Sequence, residues 1–350
     1  MEFRTVCKAQ ASPLRLSPRR PLVFAGSCFS ENICRRLRRA LWPAYNFTGA
    51  LYNPESIISA LRLMLTGEEP TLPKDSLLHN AGLWHCWYLD SGFSDITPEG
   101  VERKFIAAAL SLRKVMESGA DLIITFGTAW VYRLISPEYL RGSEVFTVGN
   151  CHKIPSVAFN REKLSVEDIC RQWIDLSDEI KERYPDSRLI FTLSPVRHIK
   201  DGFAGNSLSK ATLRVAIDEM VEGMKPEAVY FPAYEILLDD LRDYRFYASD
   251  MLHPSEQAVE YIYERFIETF VDESDRQLLK AGEALDRAYR HRPIIPTEEN
   301  LHRLKQNFNE KADALTAIWP EALLPEFQDC RDVAHDHDGD DRGDTTGRNL

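Results

Sequence analysis

Residues 22–30 of this chain read LVFAGSCFS, a short apolar run that leads through Gly26 into a helical pattern ending near Ala40. The run predicts a buried strand, and the pattern after it predicts a helix. A strand–glycine–helix turn places Ser27 at the carboxyl edge of a sheet, where a helix N-terminus offers N–H groups to a developing oxyanion. Ser27 could equally do no more than cap its own helix. A second feature is therefore needed before the residue can be given a role.

Other short runs rich in β-branched residues recur along the chain, each followed by polar turn residues and a helical pattern. This order indicates βα units and a mainly parallel sheet. The predicted strands are Leu22–Ala25, Tyr45–Phe47, Leu122–Phe126, Leu189–Leu193 and Val229–Phe231. The predicted helices start after Thr97, at Ser165, at Ser207 and at Ser255, and they end near Ser118, Tyr184, Met224 and Val271. We therefore expect an α/β fold, a three-layer αβα sandwich of the flavodoxin-like type.

The chain is predicted to divide into four parts. An N-terminal extension covers residues 1–20, and the main domain covers 21–272 with an insertion around 70–95. Two short strands, within Trp84–Leu89 and Glu144–Val148, are expected to form a lobe beside the main sheet. A helical extension follows over 273–328. The acidic tail over 329–350 is expected to be disordered, because its composition cannot build a core.

Composition excludes several classes of function. With 350 residues and 44% hydrophobic content the chain can bury a large core, and a net charge of -11 leaves no basic excess for nucleic acid or an anionic membrane surface. No apolar run approaches the roughly 20 residues of a membrane span. The seven cysteines show no regular spacing, which indicates reduced thiols and a cytoplasmic protein. No phosphate loop, dinucleotide fingerprint or metal motif is present, so no cofactor is expected.

Asp250 and His253 supply the second chemical feature, in the sequence SDMLHP just before a predicted helix. At a spacing of three on one turn, the carboxylate can hold one imidazole nitrogen and leave the other facing a hydroxyl. Taken alone, such a pair is equally well explained as a surface loop that caps the helix. Together with Ser27 after the first strand, it predicts a Ser27–His253–Asp250 triad.

The order of these two features resembles the SGNH/GDSL hydrolases, and the local residues resemble the GSCFA-domain family within that group. The resemblance covers about residues 20 to 270. The stretches that carry it are FAGSCF at 24–29, YNP at 52–54, TFGTAW at 125–130, NCHK at 150–153, SPVRH at 194–198, SK at 209–210 and LRDYRFY at 241–247, followed by Asp250 and His253-Pro254. It implies a site that cleaves an ester or transfers an acyl group.

The resemblance also implies an oxyanion hole, and here the chain departs from the pattern. SGNH enzymes join a Gly and an Asn from separate blocks to the N–H of the nucleophile. This chain reads GTAW at 127–130 where a G-x-N-D block is expected, so the Asn is missing. The predicted donors are the Ser27 N–H, Gly49, and Asn150 with the Thr128 hydroxyl as its substitute. Asn150 could equally hold a turn through its own side chain.

Five further residues are predicted to line a pocket for a small-molecule or glycan ester. They are His152, His198, His85, Arg197 and Trp84. The histidines could equally be structural, Arg197 could pair with a carboxylate, and Trp84 could belong to the core.

Cys28 competes with Ser27 as the nucleophile, because a thiol at a helix N-terminus is intrinsically reactive. Adjacent residues on a turn point in different directions, so only one of them can face His253. The family resemblance favours Ser27. The leading prediction is an esterase that forms an acyl-enzyme on Ser27. An O-acyltransferase with the same triad and a catalytically weak glycan- or peptide-binding module are the alternatives.

Overall fold

The computed structural model describes residues 4–8, 11–140, 144–295, 297–322 and 324. The predicted acidic tail at 329–350 lies outside these residues. The strands are β1 Leu22–Gly26, β2 Ala44–Ala50, β3 Leu77–Asn80, β4 Leu83–Cys86, β5 Asp121–Phe126, β6 Trp130–Leu134, β7 Phe146–Thr147, β8 Phe159–Lys163, β9 Leu189–Leu193 and β10 Ala228–Phe231. The helices are α1 Cys28–Arg39, α2 Pro54–Leu65, α3 Pro98–Glu117, α4 Pro137–Leu140, α5 Val166–Arg183, α6 Gly202–Gly223, α7 Ala233–Glu235, α8 Glu256–Phe270, α9 Glu273–Arg290 and α10 Glu298–Ile318.

Five strands of the described chain form one sheet in the order β2–β1–β5–β9–β10, and every neighbouring pair is parallel. All five predicted strands are present, with ends that differ by no more than a few residues. The strand order reverses between β1 and β5, and ligands of such sheets bind outside the carboxyl ends at that switch point. Ser27 and Cys28 follow β1 there, and Gly127 follows β5.

Helices cover both faces of this sheet. Val23 and Ala25 of β1 belong to a large core built with α2, α3, α5 and α6. Phe24 points the opposite way and lines a small apolar cavity with Phe29 of α1 and Phe266 of α8. This alternation is the period-2 pattern of a strand buried on both faces. The predicted three-layer αβα sandwich is confirmed.

Two small antiparallel sheets accompany the parallel one. β3 pairs with β4, while β6 pairs with both β7 and β8. Leu78 of β3 and Trp87, which follows β4, share a small core with Leu134, Val148 and Phe159. The predicted strand at Trp84–Leu89 ends at Cys86, and Trp87 enters this core instead, with 1% of its surface exposed.

The predicted helix starts are mostly confirmed by capping hydrogen bonds. The Thr97 hydroxyl accepts the N–H of Gly100 at 3.0 Å, and the Ser165 hydroxyl accepts that of Asp168 at 3.0 Å. The predicted start at Ser207 is wrong, because a 3-10 turn over Ile199–Asp201 runs straight into α6 at Gly202. None of the helices in the described residues is long and apolar enough to cross a membrane.

The chain divides into two structural units. One contains residues 20–35 and 44–270 with most of the N-terminal segment, and therefore holds the whole parallel sheet. The other contains Leu16–Arg19, Arg36–Pro43 and the chain from Val271 onward. Its core is formed chiefly by α9 and α10, through Leu278, Leu285, Phe308, Leu315 and Trp319. The two predicted C-terminal helices are thus present. The sequence-based domain limits remain a prediction.

Gly26 should be irreplaceable, because its φ of +136° is unfavourable for other residues and a Cβ would overlap the carbonyl of Thr125 in β5. We expect Gly26→Ala to lower the free energy of unfolding by about 3 kcal/mol or more. Gly67 is the matched control, since its φ is +73° and a Cβ there meets nothing within 4 Å. Gly67→Ala should cost about 1 kcal/mol. Urea denaturation followed by tryptophan fluorescence measures both, and equal costs would contradict this account.

Candidate active site

The loop before α8 is folded tightly upon itself. The N–H of Ala248 donates to the carbonyl of His253 at 2.7 Å, and that of Ser255 donates to Phe246 at 2.8 Å. Asp250 supports the inside of the loop, because its Oδ1 accepts the N–H groups of Leu252 and His253 at 2.9 and 3.0 Å. One carboxylate oxygen therefore stabilises the loop together with these two backbone bonds.

The second oxygen of Asp250 orients the His253 ring. Oδ2 lies 2.6 Å from Nδ1 of His253, so the other ring nitrogen, Nε2, remains for a different partner. Burial acts to raise the pKa of Asp250, but the hydrogen bonds from His253 and Leu252 hold it below its usual range. The carboxylate is thus ionised at neutral pH and can stabilise an imidazolium.

The His253 imidazole contacts the Cys28 thiol on the turn between β1 and α1. The hydrogen bond with Cys28 is the main reason that the pKa of His253 rises to about 9, and the bond with Asp250 acts in the same direction against the effect of burial. The His253 side chain is 49% exposed, so solvent still reaches the ring. Asp250, His253 and Cys28 form a continuous row at the carboxyl edge of the sheet.

Ser27 is placed differently from its neighbour. It is 1% exposed, and its Oγ is buried without a hydrogen-bond partner in the part of the chain that the structure describes. The Oγ therefore makes no helix-capping bond. The Ser27 Cβ lies 3.5 Å from the position that a Cβ on Gly127 would occupy, so its side chain sits between the ends of β1 and β5. Cys28 is half-buried and opens α1.

Lys210 of α6 is buried close to Cys28. It is 2% exposed, and its ammonium donates to the carbonyls of Gly127 and Ser194 at 2.7 Å each. The two bonds tie together the chain segments that leave β5 and β9. Burial lowers the pKa of Lys210 to about 7, and the nearby Cys28 acts in the opposite direction.

His198 also belongs to this region. Its backbone N–H donates to Oδ1 of Asn206 at 2.9 Å, and its ring lies edge-on to Tyr52 at 5.7 Å. Its Nε2 is buried without a partner among the described residues and lies 3.0 Å from the position of a Cβ on Gly127. Burial, followed by the charges of Lys210 and His253, lowers the pKa of His198 to about 3. The ring is therefore neutral near the row.

The predicted oxyanion donors are largely engaged elsewhere. The N–H of Ser27 donates to Thr125 at 3.2 Å. The Thr128 hydroxyl lies 3.2 Å from that of Ser209 and accepts the N–H of Trp130 at 3.1 Å. Asn150 accepts the N–H of His152 at 2.8 Å through Oδ1, which leaves its amide hydrogens as potential donors. Gly49 lies at the end of β2 with a φ of +68°. The role of each in an oxyanion hole stays a prediction.

Three predicted pocket residues lie in the lobe of the small sheets. Both ring nitrogens of His85 have partners, at 2.6 Å from the Ser94 hydroxyl and 3.2 Å from the Asn80 carbonyl. His152 stacks on His85 at 4.5 Å and bonds the Cys86 carbonyl through Nε2 at 2.8 Å. Burial lowers the pKa of His152 to about 4. Trp84 is half-buried against the core. These contacts fit structural roles, and substrate binding by the three stays a prediction.

Arg197 lies beside the loop before α8. Its backbone N–H donates to the carbonyl of Leu252 at 3.1 Å, and its guanidinium lies over the rings of Tyr247 at 4.1 Å and Tyr244 at 5.1 Å. Arg197 therefore joins the segment after β9 to the loop that carries His253. No group of three or more His, Cys, Asp or Glu side chains within the described ranges is arranged to hold a metal ion.

Sequence analysis assigned no role to Lys210, although a signal was present. The residue shares the buried face of α6 with Leu213, Ile217 and Met220, which follow it at helical spacings of three, seven and ten. A lysine on an apolar helix face is rarely buried without fixed partners. That spacing could have identified it as a buried charge.

The fold places the chain among the αβα sandwiches to which the SGNH hydrolases belong, with an Asp–His pair facing the turn after the first strand. The chain belongs to the GSCFA family, whose model matches residues 21–266. The predicted resemblance is thereby confirmed.

Among solved structures, the chain has limited similarity to a Corynascus thermopiles (Myceliophthora fergusii) carbohydrate esterase family 2 enzyme with a carbohydrate-binding domain. The identity is 12%, the TM-score is 0.35, and the match covers 77% of this chain and 69% of the other. A comparison with curated proteins found no match.

The raised pKa of His253 should be visible by NMR. We expect its ring protons to titrate near pH 9, with the signal assigned by comparison with His253→Asn. Asp250→Asn should shift this pKa downward, because the carboxylate no longer stabilises the imidazolium. Because the folded pKa is raised, any stability that the pair contributes is fully present below the ordinary pKa of 6.5 and is lost as the pH rises from there through about 9. Titration of His253 near its ordinary value in the wild type would contradict the geometry.

Lys210 should stabilise the fold through its two buried carbonyl partners. We expect Lys210→Met to lower the free energy of unfolding by about 2 kcal/mol, because both carbonyls lose their donor while the cost of burying the ammonium disappears. Lys225→Met is the control, since that side chain is 57% exposed in an ion pair with Glu222. It should change stability by less than about 0.5 kcal/mol in the same urea titration. An unchanged midpoint for Lys210→Met would sink this assignment.

Proposed function

We propose that the chain is an enzyme that cleaves carboxylic esters through a covalent acyl-enzyme formed on the turn between β1 and α1. The observation that carries this proposal is the Asp250–His253 pair, whose imidazole is held by Nδ1 and faces that turn at the switch point of the sheet. A buried parallel sheet does not need such a pair for its stability. The pair lies where a general base would lie beside a nucleophile.

Each group in the row would perform a defined step. His253 holds through Nε2 the proton that comes from the nucleophile, and Asp250 stabilises this imidazolium. The nucleophile attacks the ester carbonyl, and His253 returns the proton to the departing alcohol. A water molecule, activated by the same imidazole, then releases the acid. The sequence predicts Ser27 as the nucleophile with Cys28 as its competitor, and the proposed function requires one of the two.

The oxyanion would be stabilised by the start of α1. The first N–H groups of a helix have no intrahelical acceptor and point along the positive end of its dipole. The Lys210 ammonium adds positive charge beneath the same turn. Asn150 remains the predicted additional donor. A site of this kind needs no metal ion to polarise the carbonyl.

The proposed substrate class is a small-molecule or glycan ester. Around the row the surface carries exposed apolar groups, with Tyr244 at 59% and Met251 at 48% exposure. These side chains could contact the apolar part of an ester, whereas Arg197 is held over Tyr247 and Tyr244.

Loss of His253 should remove most of the activity. We expect His253→Asn to lower kcat/KM for p-nitrophenyl acetate by about 100-fold or more, because the nucleophile loses its general base. Asp250→Asn should lower it in the same direction, since the imidazole loses its orientation. His302→Asn, an exposed histidine of α10, should keep wild-type kinetics. Wild-type turnover by His253→Asn across a panel of activated esters would disprove the proposed function.

A further inference from the structure

We infer that the nucleophile is the thiol of Cys28 and not the hydroxyl of Ser27, so that the acyl-enzyme is a thioester. The inference rests on the proposed function for its substrate and goes further by naming the reacting atom. It follows from the different directions in which these two neighbouring side chains leave the β1–α1 turn.

The first difference between Ser27 and Cys28 is how far each side chain is buried. Ser27 is 1% exposed, and its Oγ has no accessible surface to present to a carbonyl carbon. An attacking atom must come within roughly 3 to 3.5 Å of that carbon along an open path. The residue is enclosed by the end of β5, because its N–H donates to Thr125 and its Cβ lies 3.5 Å from the position of a Cβ on Gly127. Cys28, the next residue of the same turn, is half-buried, so part of its surface reaches solvent.

The second difference between Ser27 and Cys28 is their contact with the base, His253. The imidazole of His253, fixed on its other side by Asp250, forms its hydrogen bond with the Cys28 thiol. The Ser27 hydroxyl has no hydrogen-bond partner of any kind among the described residues. A nucleophile and its base need to lie within hydrogen-bond reach of each other. Only Cys28 meets that condition here.

The surrounding charges also suit a thiol. Cys28 occupies the first position of α1, contacts the His253 ring and lies close enough to the buried Lys210 ammonium for their charges to interact. A thiolate carries its negative charge before attack, so two cations and a helix N-terminus stabilise the reactive state itself. A serine hydroxyl remains neutral until the transition state. The electrostatics of the turn are therefore matched to sulfur.

The proposed step balances without any oxidant or cofactor. The Sγ thiolate forms a C–S bond with the ester carbonyl carbon, and the C–O bond to the alcohol breaks as His253 protonates the leaving oxygen. The products of this half-reaction are a Cys28 thioester and a free alcohol. Water then attacks the thioester, its proton passes to His253, and the C–S bond breaks to release the acid and the thiolate. A hydroxyl acceptor in place of water would give acyl transfer by the same route.

Mapping the acyl group tests the inference directly. The full-length wild type, Ser27→Ala, Cys28→Ala and Cys151→Ala are each mixed with p-nitrophenyl acetate, quenched in acid and mapped by peptide mass spectrometry. Cys151 is the matched control, because it is another half-buried thiol. We expect acetyl on Cys28 in all variants except Cys28→Ala. Treatment with neutral hydroxylamine should remove it, since a thioester is cleaved under conditions that leave an oxygen ester intact. Acetyl on Ser27 that survives hydroxylamine would overturn the inference.

A measurement without any ester distinguishes failure of the inference from failure of the proposed function. Iodoacetamide should alkylate Cys28 in the wild type about tenfold faster than in His253→Asn, because the imidazolium stabilises the thiolate. The NMR titration of His253 should move from about 9 toward its ordinary range in Cys28→Ala and stay raised in Ser27→Ala. If both hold while no ester acylates the protein, the ester substrate is wrong and the thiol assignment stands. If neither holds, the thiol is not paired with His253 and the inference fails, whatever the ester assay shows.

Discussion

The site depends on the carboxylate of Asp250, which accepts hydrogen bonds through both oxygens. One oxygen holds the backbone of the loop at Leu252 and His253, and the other holds the ring of His253 at 2.6 Å. The same charge thus shapes the loop and orients the imidazole. Because these functions share one group, the position of the ring is fixed as soon as the loop folds. A catalytic imidazole needs such preorganisation, since a ring free to rotate would meet its nucleophile only part of the time.

At the carboxyl edge of the sheet, the segments that follow β5 and β9 are held together by a different charge. Lys210 bonds the carbonyls of Gly127 and Ser194, which follow β5 and β9, and it lies close to Cys28 after β1. A buried ammonium is costly unless its donors are satisfied. Here its cost is offset by two carbonyls that would otherwise lack donors. The arrangement keeps a positive charge at the switch point of the sheet, where a negatively charged intermediate would form.

The two residues after Gly26 show how strongly a turn can separate neighbours. Ser27 follows the end of β1 and turns into the space beside Gly127, while Cys28 begins α1 and contacts His253. The contact of one residue rather than the other with the imidazole changes the class of intermediate from an oxygen ester to a thioester. A thioester reacts readily with hydroxyl and amine acceptors, so the same site could support hydrolysis or transfer. Which acceptor enters then decides the product.

The sequence alone determined the parallel sheet and most of its helices, because apolar periodicity and capping residues act within a few positions of each other. Leu189–Leu193 was predicted with its observed limits, and Thr97 and Ser165 cap the helices that they were predicted to begin. The pairing of Asp250 with His253 was also predictable, since three residues on one turn are enough to bring them together. These features need no distant part of the chain.

Only the tertiary structure decided which neighbour of Gly26 faces His253, because that depends on how β1 packs against Gly127 and how the distant loop folds over α1. The same is true of Lys210, whose partners lie 83 and 16 residues away. The local sequence pattern predicts where a residue lies along its strand or helix. Which other residue its side chain contacts depends on packing between elements that are far apart in the sequence.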